Sequence, residues 1–145
     1  EQICFPPNEA CSTEMMLERV NTAPELFLVA VERASGKIAG FLNGLSTRET
    51  VFRDAFFTDA GLHDPSGTTI MLLGLDVLPA HRGQGLAREI VSRYLPLGRD
   101  HGATRLLLTC LDSKVQMYEK FGFADLGAAN STWGGETWHE MCYIL

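Results

Sequence analysis

The chain has no apolar run long enough to cross a membrane, no C-x-x-C pair, and fewer basic than acidic residues. Each absence excludes something. A transmembrane helix needs about 20 consecutive apolar residues, so no membrane role is expected, and nothing at the amino end reads as a signal peptide. Cys4, Cys11, Cys110 and Cys142 are scattered and join the scattered histidines in no metal-like cluster. A reduced, cytoplasmic protein without a metal is the expectation. The formal net charge of −6, from 12 Lys and Arg against 18 Asp and Glu, argues against a nucleic-acid partner, whose footprint is basic. It suits a cationic substrate. Repeats, low-complexity tracts and linker-like stretches are missing too, so the 145 residues read as one domain large enough to bury a core.

What is present is a succession of short periodic segments. Glu1 to Cys4 reads as the tail of a helix stopped by Phe5-Pro6-Pro7, which cannot continue one. Ser12 and Thr13, with Glu14 after them, suit the cap of a helix through about Val20. Leu26 to Glu32, the Ser35-Gly36 turn and Lys37 to Leu45 read as a hairpin. Ser46 to Gly67 is loop-like, with Asp59, Gly61, Asp64, Pro65 and Gly67 as breakers. Thr69 to Val77 is a nearly continuous apolar strand, the pattern of a strand buried on both faces, and Gly74 inside it predicts a bulge or a close backbone approach. A helix from about Gly85 to Arg99, a strand from Thr104 to Cys110 and a short helix from Ser113 to Phe121 follow. Two closing strands, Phe123 to Leu126 and Glu136 to Ile144, flank a loop from Gly127 to Gly135. The helical crossover makes the strands at 69–77 and 104–110 parallel neighbours.

The most informative stretch is Leu75-Asp76-Val77-Leu78-Pro79-Ala80-His81-Arg82-Gly83-Gln84-Gly85-Leu86-Ala87. It joins the central strand to a helix through a Gly-rich turn. Glycines let the backbone approach a ligand closely, the unpaired N–H groups at the helix start point outward with the helix dipole behind them, and Arg82 adds a fork suited to phosphate oxygens. A pyrophosphate fits. The dinucleotide fingerprint does not, because Arg88 stands where its third glycine belongs. No Lys follows either glycine, which excludes a P-loop.

Arg82-x-x-Gly85-x-Ala87, preceded by Leu75-x-Val77-x-Pro79, resembles the cofactor turn of the GNAT acyltransferase superfamily. That resemblance implies an α+β fold of three α/β/α layers, with a central mixed twisted sheet and helices on both faces. It implies acetyl-CoA as co-substrate, its pyrophosphate held at Arg82, Gly83, Gln84, Gly85, Leu86 and Ala87. Backbone groups of Leu75 and Val77 would bond the pantetheine arm and the acetyl oxygen. The family usually opens with a strand before its first helix, and that strand is missing from residues 1–145. Cys110-Leu111-Asp112, Val115 to Phe123 and the closing Trp138-His139-Glu140-Met141 are similar to the arylalkylamine (serotonin-type) N-acetyltransferases. The resemblance extends over nearly the whole chain.

The chemistry so implied is direct attack of an amine on the acetyl thioester in a ternary complex, with Tyr118 as general acid for the departing thiolate. An alkylammonium with a pKa near ~10.4 leaves about one free amine in ~10³ at neutral pH, a gap on the order of 4 kcal/mol. Vertebrate-type relatives carry two histidines on the central strand to remove that proton. The matching positions are Met71 and Leu73, taken here as substrate-binding residues, so that relay is absent. Asp112 is the catalytic candidate beside Tyr118, with Glu49, Asp76, His139 or water alone as alternatives; Asp112 also suits a helix cap. Phe5 and Pro6 would wall the amine's ring, with Phe41, Phe56, Phe57 and Trp133 as further candidates. The expected substrate is a small primary amine of the serotonin, tryptamine or phenylethylamine type. A polyamine, a lysine-bearing protein, or a non-catalytic acyl-CoA-binding role are the alternatives.

Overall fold

The computed structural model describes residues 1–145. Six strands, β1 (Phe27–Val31), β2 (Ile38–Thr47), β3 (Thr69–Val77), β4 (Arg105–Cys110), β5 (Ala124–Ala128) and β6 (His139–Ile144), form one sheet in the order β1-β2-β3-β4-β6-β5. Helices α1 (Thr13–Thr22), α2 (Ala55–Thr58), α3 (Leu86–His101) and α4 (Val115–Lys120) connect them. Every neighbouring pair is antiparallel except β3 and β4, which run parallel across the α3 crossover. This is the α+β architecture expected.

Helix α3 presents Ile90, Val91, Tyr94 and Gly98 as its buried stripe, the spacing of one helix face. It can lie close to β2 because Gly44 has no side chain: a β-carbon there would sit 2.7 Å from Ile70 Cγ2 and 3.0 Å from the Tyr94 hydroxyl. That hydroxyl donates 2.7 Å to the Leu26 carbonyl and ties α3 to the turn ahead of β1. Residues directly opposite in an antiparallel pair share a face. Gly40 pairs with Val77 and faces Ile90 of α3, so the next pair, Phe41 with Asp76, points to the other face. That face is covered by α1, the amino-terminal turn and the segment around α2.

Two irregularities in β3 shape everything that follows. Its ladder with β2 slips where Gly44 faces Leu72 but Asn43 faces Gly74, leaving Leu73 as an extra, bulged residue. Its ladder with β4 covers only Thr69, Ile70 and Met71, against Arg105, Leu106 and Leu107. Beyond Met71, β3 continues without a β4 partner and the two strands part.

Several boundaries differ from the sequence expectation. Residues 1–4 form turns rather than a helix end. β2 runs on to Thr47, and the stretch expected to be loop contains α2 and a turn of 3₁₀ helix at Ala60–Leu62. Phe52 and Phe56 are fully buried there, so core packing supplies what local propensity did not.

Replacing Tyr94 with Phe leaves the Leu26 carbonyl buried without its donor, and a cost of about 1–3 kcal/mol is expected. Urea unfolding would show it as a lower midpoint at unchanged slope. An unchanged midpoint would mean this bond does not hold α3 to the sheet.

Candidate active site

The parting of β3 and β4 opens a cleft of about 620 Å³, lined by Leu72, Leu73, Gly74, Leu75 and Val77 from β3 and by Leu108, Thr109 and Cys110 from β4. Its outer end is the Gly-rich turn. Gly83 and Gly85 have φ of 73° and 78° with open space where a β-carbon would go, so glycine is required here by backbone conformation rather than by crowding. Gly85 caps α3 without a side-chain bond, which leaves the first helical N–H groups free. Arg82 lines this end, and its Nε donates 2.9 Å to the Val77 carbonyl, which anchors the guanidinium there. Arg88 and Lys114 line the same end, and Arg88 stacks 5.3 Å above the Phe121 ring. In a chain of net charge −6, this end of the cleft is basic.

Tyr118 enters the cleft from α4, its ring held edge-on by Phe121 at 6.0 Å and Phe123 at 5.6 Å. Burial pushes its phenol well above the usual value, and Cys110 and Asp76 add to the effect. The hydroxyl is therefore protonated at neutral pH.

The inner end is aromatic and acidic. Phe5, Pro6, Phe57, Trp133 and Trp138 line it. Phe57 and Trp133 stack at 4.8 Å, the Trp133 indole N–H donates 2.9 Å to the Glu9 carbonyl, and that of Trp138 donates 2.9 Å to the Trp133 carbonyl. Asn8 Nδ2 donates 3.0 Å to the Gly134 carbonyl, and Asp54 accepts from Ser131 and from the Thr132 amide. Three stretches distant in sequence are so lashed into one wall. Glu1 and Glu9 also face the cleft; burial, then Glu136, raises the Glu9 carboxyl.

Of the residues singled out from sequence, Leu75, Val77, Arg82, Gly83, Gly85, Leu86, Ala87, Tyr118, Phe5, Pro6 and Leu73 line the cleft. Three do not. Gln84 turns back, its amide reaching the Ala80 carbonyl at 3.5 Å. Met71 is fully buried in the core, because the bulge at Leu73 breaks the two-residue alternation that would have put both side chains on one face. Asp112 is 93% exposed and pairs with His139 Nε2 at 3.2 Å, and it makes no capping bond.

The other base candidates separate the same way. His139 lies between Asp112 and Asp125, and Glu49 is forked to Arg53 at 2.6 and 2.8 Å. Neither lines the cleft. Asp76 is buried against it, and so is Arg19, a cleft residue from α1 that sequence reading missed. A charged residue in a helix reads as solvent-facing. The available signal was its spacing from Met15 and Met16, which share its half-buried side, whereas Leu17 and Val20 are exposed. Phe41 stacks on Phe27 at 5.4 Å, away from the cleft.

Residues 1–123 match the profile of the acetyltransferase (GNAT) family. The chain belongs to that family. It is 35% identical over 120 residues to serotonin N-acetyltransferase of Mesocricetus auratus, a match covering 81% of this chain and 55% of that protein. It is 38% identical over 105 residues to mycothiol acetyltransferase of Thermobifida fusca (strain YX), covering 69% and 29%. The chain thus spans about half or less of the length of these relatives. Among solved structures, the GphF GNAT-like decarboxylase in complex with isobutyryl-CoA superposes with a TM-score of 0.79 at 21% identity, over 99% of this chain and 90% of that one. At that identity the likeness is one of fold. No helix of this GNAT-family chain is long and apolar enough to cross a membrane.

Burial, and then the Glu1 carboxylate, push the Asp76 carboxyl from 3.8 up to about 8. A folded value above the unfolded one means that the native state holds the extra proton between them. The contribution to stability is present below about pH 4 and is lost as pH rises through about 8. Thermal melts of the wild type should fall across that window, and Asp76→Asn should flatten the fall. Parallel pH dependences in both proteins would refute the assignment.

Proposed function

We propose that this chain transfers the acetyl group of acetyl-CoA to a small primary amine of the arylalkylamine class. One observation carries the reading: a single cleft is basic at the Gly-rich turn, open along β3 in the middle, and aromatic and acidic at its inner end. Those three sections match pyrophosphate, pantetheine arm and arylalkylammonium in turn. Membership in the GNAT family and the likeness to serotonin N-acetyltransferase support it.

Arg82 and the free N–H groups at the start of α3 would hold the pyrophosphate through charge-assisted bonds. The unladdered edge of β3 offers backbone donors and acceptors to the pantetheine amides, as a partner strand would. The arm then delivers the thioester toward Tyr118. An amine seated against Phe57, Trp133 and Trp138 approaches the same carbonyl from the inner end. Its nitrogen attacks directly, and no protein nucleophile is needed. Tyr118 donates its proton to the departing sulfur, in the general-acid role. Phe5 and Pro6 close the ring's pocket; Leu73, in the place of a histidine, supplies packing and no proton.

A CoA-release assay with tryptamine, serotonin, phenylethylamine, spermidine and a lysine peptide tests the reading. Aromatic amines should be preferred. Tyr118→Phe should lower kcat on the order of 10²-fold with little change in the KM for acetyl-CoA. Arg82→Ala should raise that KM by roughly 10- to 100-fold, as a lost charged bond does. Preference for spermidine or the peptide would overturn the substrate class. Acetyl-CoA binding without turnover of any amine would point to an acyl-CoA-binding role instead.

A further inference from the structure

One charged side chain in the cleft has no counter-charge. Arg19, on α1, lines the cleft and is 2% exposed. Its Nη2 donates 2.9 Å to the Phe57 carbonyl, while Nε and Nη1 are buried without a hydrogen-bond partner. Arg19 takes part in none of the chain's ion pairs. Arginine is almost never fully buried unless it is paired, because its guanidinium keeps its charge and an uncompensated buried charge is costly. The groups around it do not cancel that charge. Burial, and then the Glu1 carboxylate, push Asp76 up to about 8, so this carboxyl is neutral at neutral pH. Burial pushes the Cys11 thiol up to about 11, so it is neutral too. The Glu1 carboxylate acts on Arg19 but forms no ion pair with it.

Resting on the acetyl-transfer reading, we propose that the amine substrate carries a carboxylate on the carbon beside its nitrogen, as an aromatic α-amino acid does, and that Arg19 binds this carboxylate. Arg19 is bonded to the aromatic wall through Phe57, whose ring stacks on Trp133 at 4.8 Å, and it lies within charge range of Asp76 on β3. The guanidinium therefore neighbours both the ring's seat and the strand along which the thioester would arrive. A carboxylate that reaches it must stay close to ring and nitrogen alike, and the α-carbon is the position that allows this. An anion fits better than a neutral group, because only an anion compensates the guanidinium.

The two signs at this end favour a zwitterion. Glu9 lines the same end as Arg19, so an amino acid meets each with the opposite charge and brings no net charge into the cleft. A simple ammonium would instead add a cation beside one already unpaired. The bonds made and broken are those of amine acetylation. The ammonium sheds two protons, one to solvent and one, by way of Tyr118, to sulfur. The C–N bond forms as C–S breaks with its electrons on sulfur. The products are the CoA thiol and an N-acetyl amino acid that keeps only its carboxylate charge.

The test compares phenylalanine, assayed as each enantiomer, with phenylethylamine, which lacks the carboxylate, and with phenylalaninamide, which replaces it by a neutral group. The wild type should favour the better enantiomer of phenylalanine over both by roughly 10- to 100-fold in kcat/KM, as a charged bond gives. The amide's nitrogen is the less basic, so a preference over it cannot come from a larger share of free amine. Arg19→Gln should abolish the preference, and Arg19→Lys, which keeps the charge, should restore part of it. A wild type without the preference would overturn the proposal, whether or not the variants fold. So would equal losses on all three substrates in Arg19→Gln, which would make Arg19 a structural tie between α1 and Phe57. Turnover of none of the three by a wild type that binds acetyl-CoA would overturn the acetyl-transfer reading itself, and this inference with it.

Discussion

The structure turns on a ladder that stops early. A parallel pair of strands buried on both faces normally satisfies its backbone groups against each other. β3 and β4 do so for three residue pairs and then diverge. Past Met71, β3 is held on one side only, by β2, with α3 packed close beneath through Gly44 and Tyr94. The far side of β3 is left as an interior strand edge. A ligand with its own amides is a fitting partner for such an edge, and the Gly-rich turn lies at its end.

The cleft is also ordered along its length by charge. Arg82, Arg88 and Lys114 stand at one end, Glu1 and Glu9 at the other, and apolar β3 and β4 side chains lie between. An acidic protein repels anions at long range, whereas the local basic group and the helix start attract them. The same acidity favours an incoming cation. The aromatic wall depends on contacts far apart in sequence: Trp133 reaches Glu9, Asn8 reaches Gly134, and Asp54 holds the loop at Ser131 and Thr132. The aromatic end of the cleft thus depends on pieces distant in sequence.

That difference explains what could be read in advance. Strand, glycine turn and helix at 69–101 are contiguous, so apolar period, φ requirement and cap chemistry all point one way. Tyr118 was legible through the motif around it. Asp112 was not, because its pairing with His139 brings together α4's approach and a distant strand. Met71 and Leu73 sit two apart, and only a bulge sends them to different surroundings. Arg19 was hidden because a buried arginine contradicts the usual reading of a polar helix position; its one hydrogen-bond partner, the Phe57 carbonyl, lies 38 residues away in α2. Local signals located the Gly-rich turn, and tertiary ones were needed for the aromatic end of the cleft.

The central claim is that the edge where β3 leaves β4, with the turn at its end, is the acyl-CoA site. Amide hydrogen exchange with and without acetyl-CoA tests this most directly, since it reports on backbone groups one by one. Slowed exchange confined to 72–77 on β3 and to the turn and helix start at 83–88 is the predicted result. Unchanged exchange there, with protection gained elsewhere on the chain, would contradict the account.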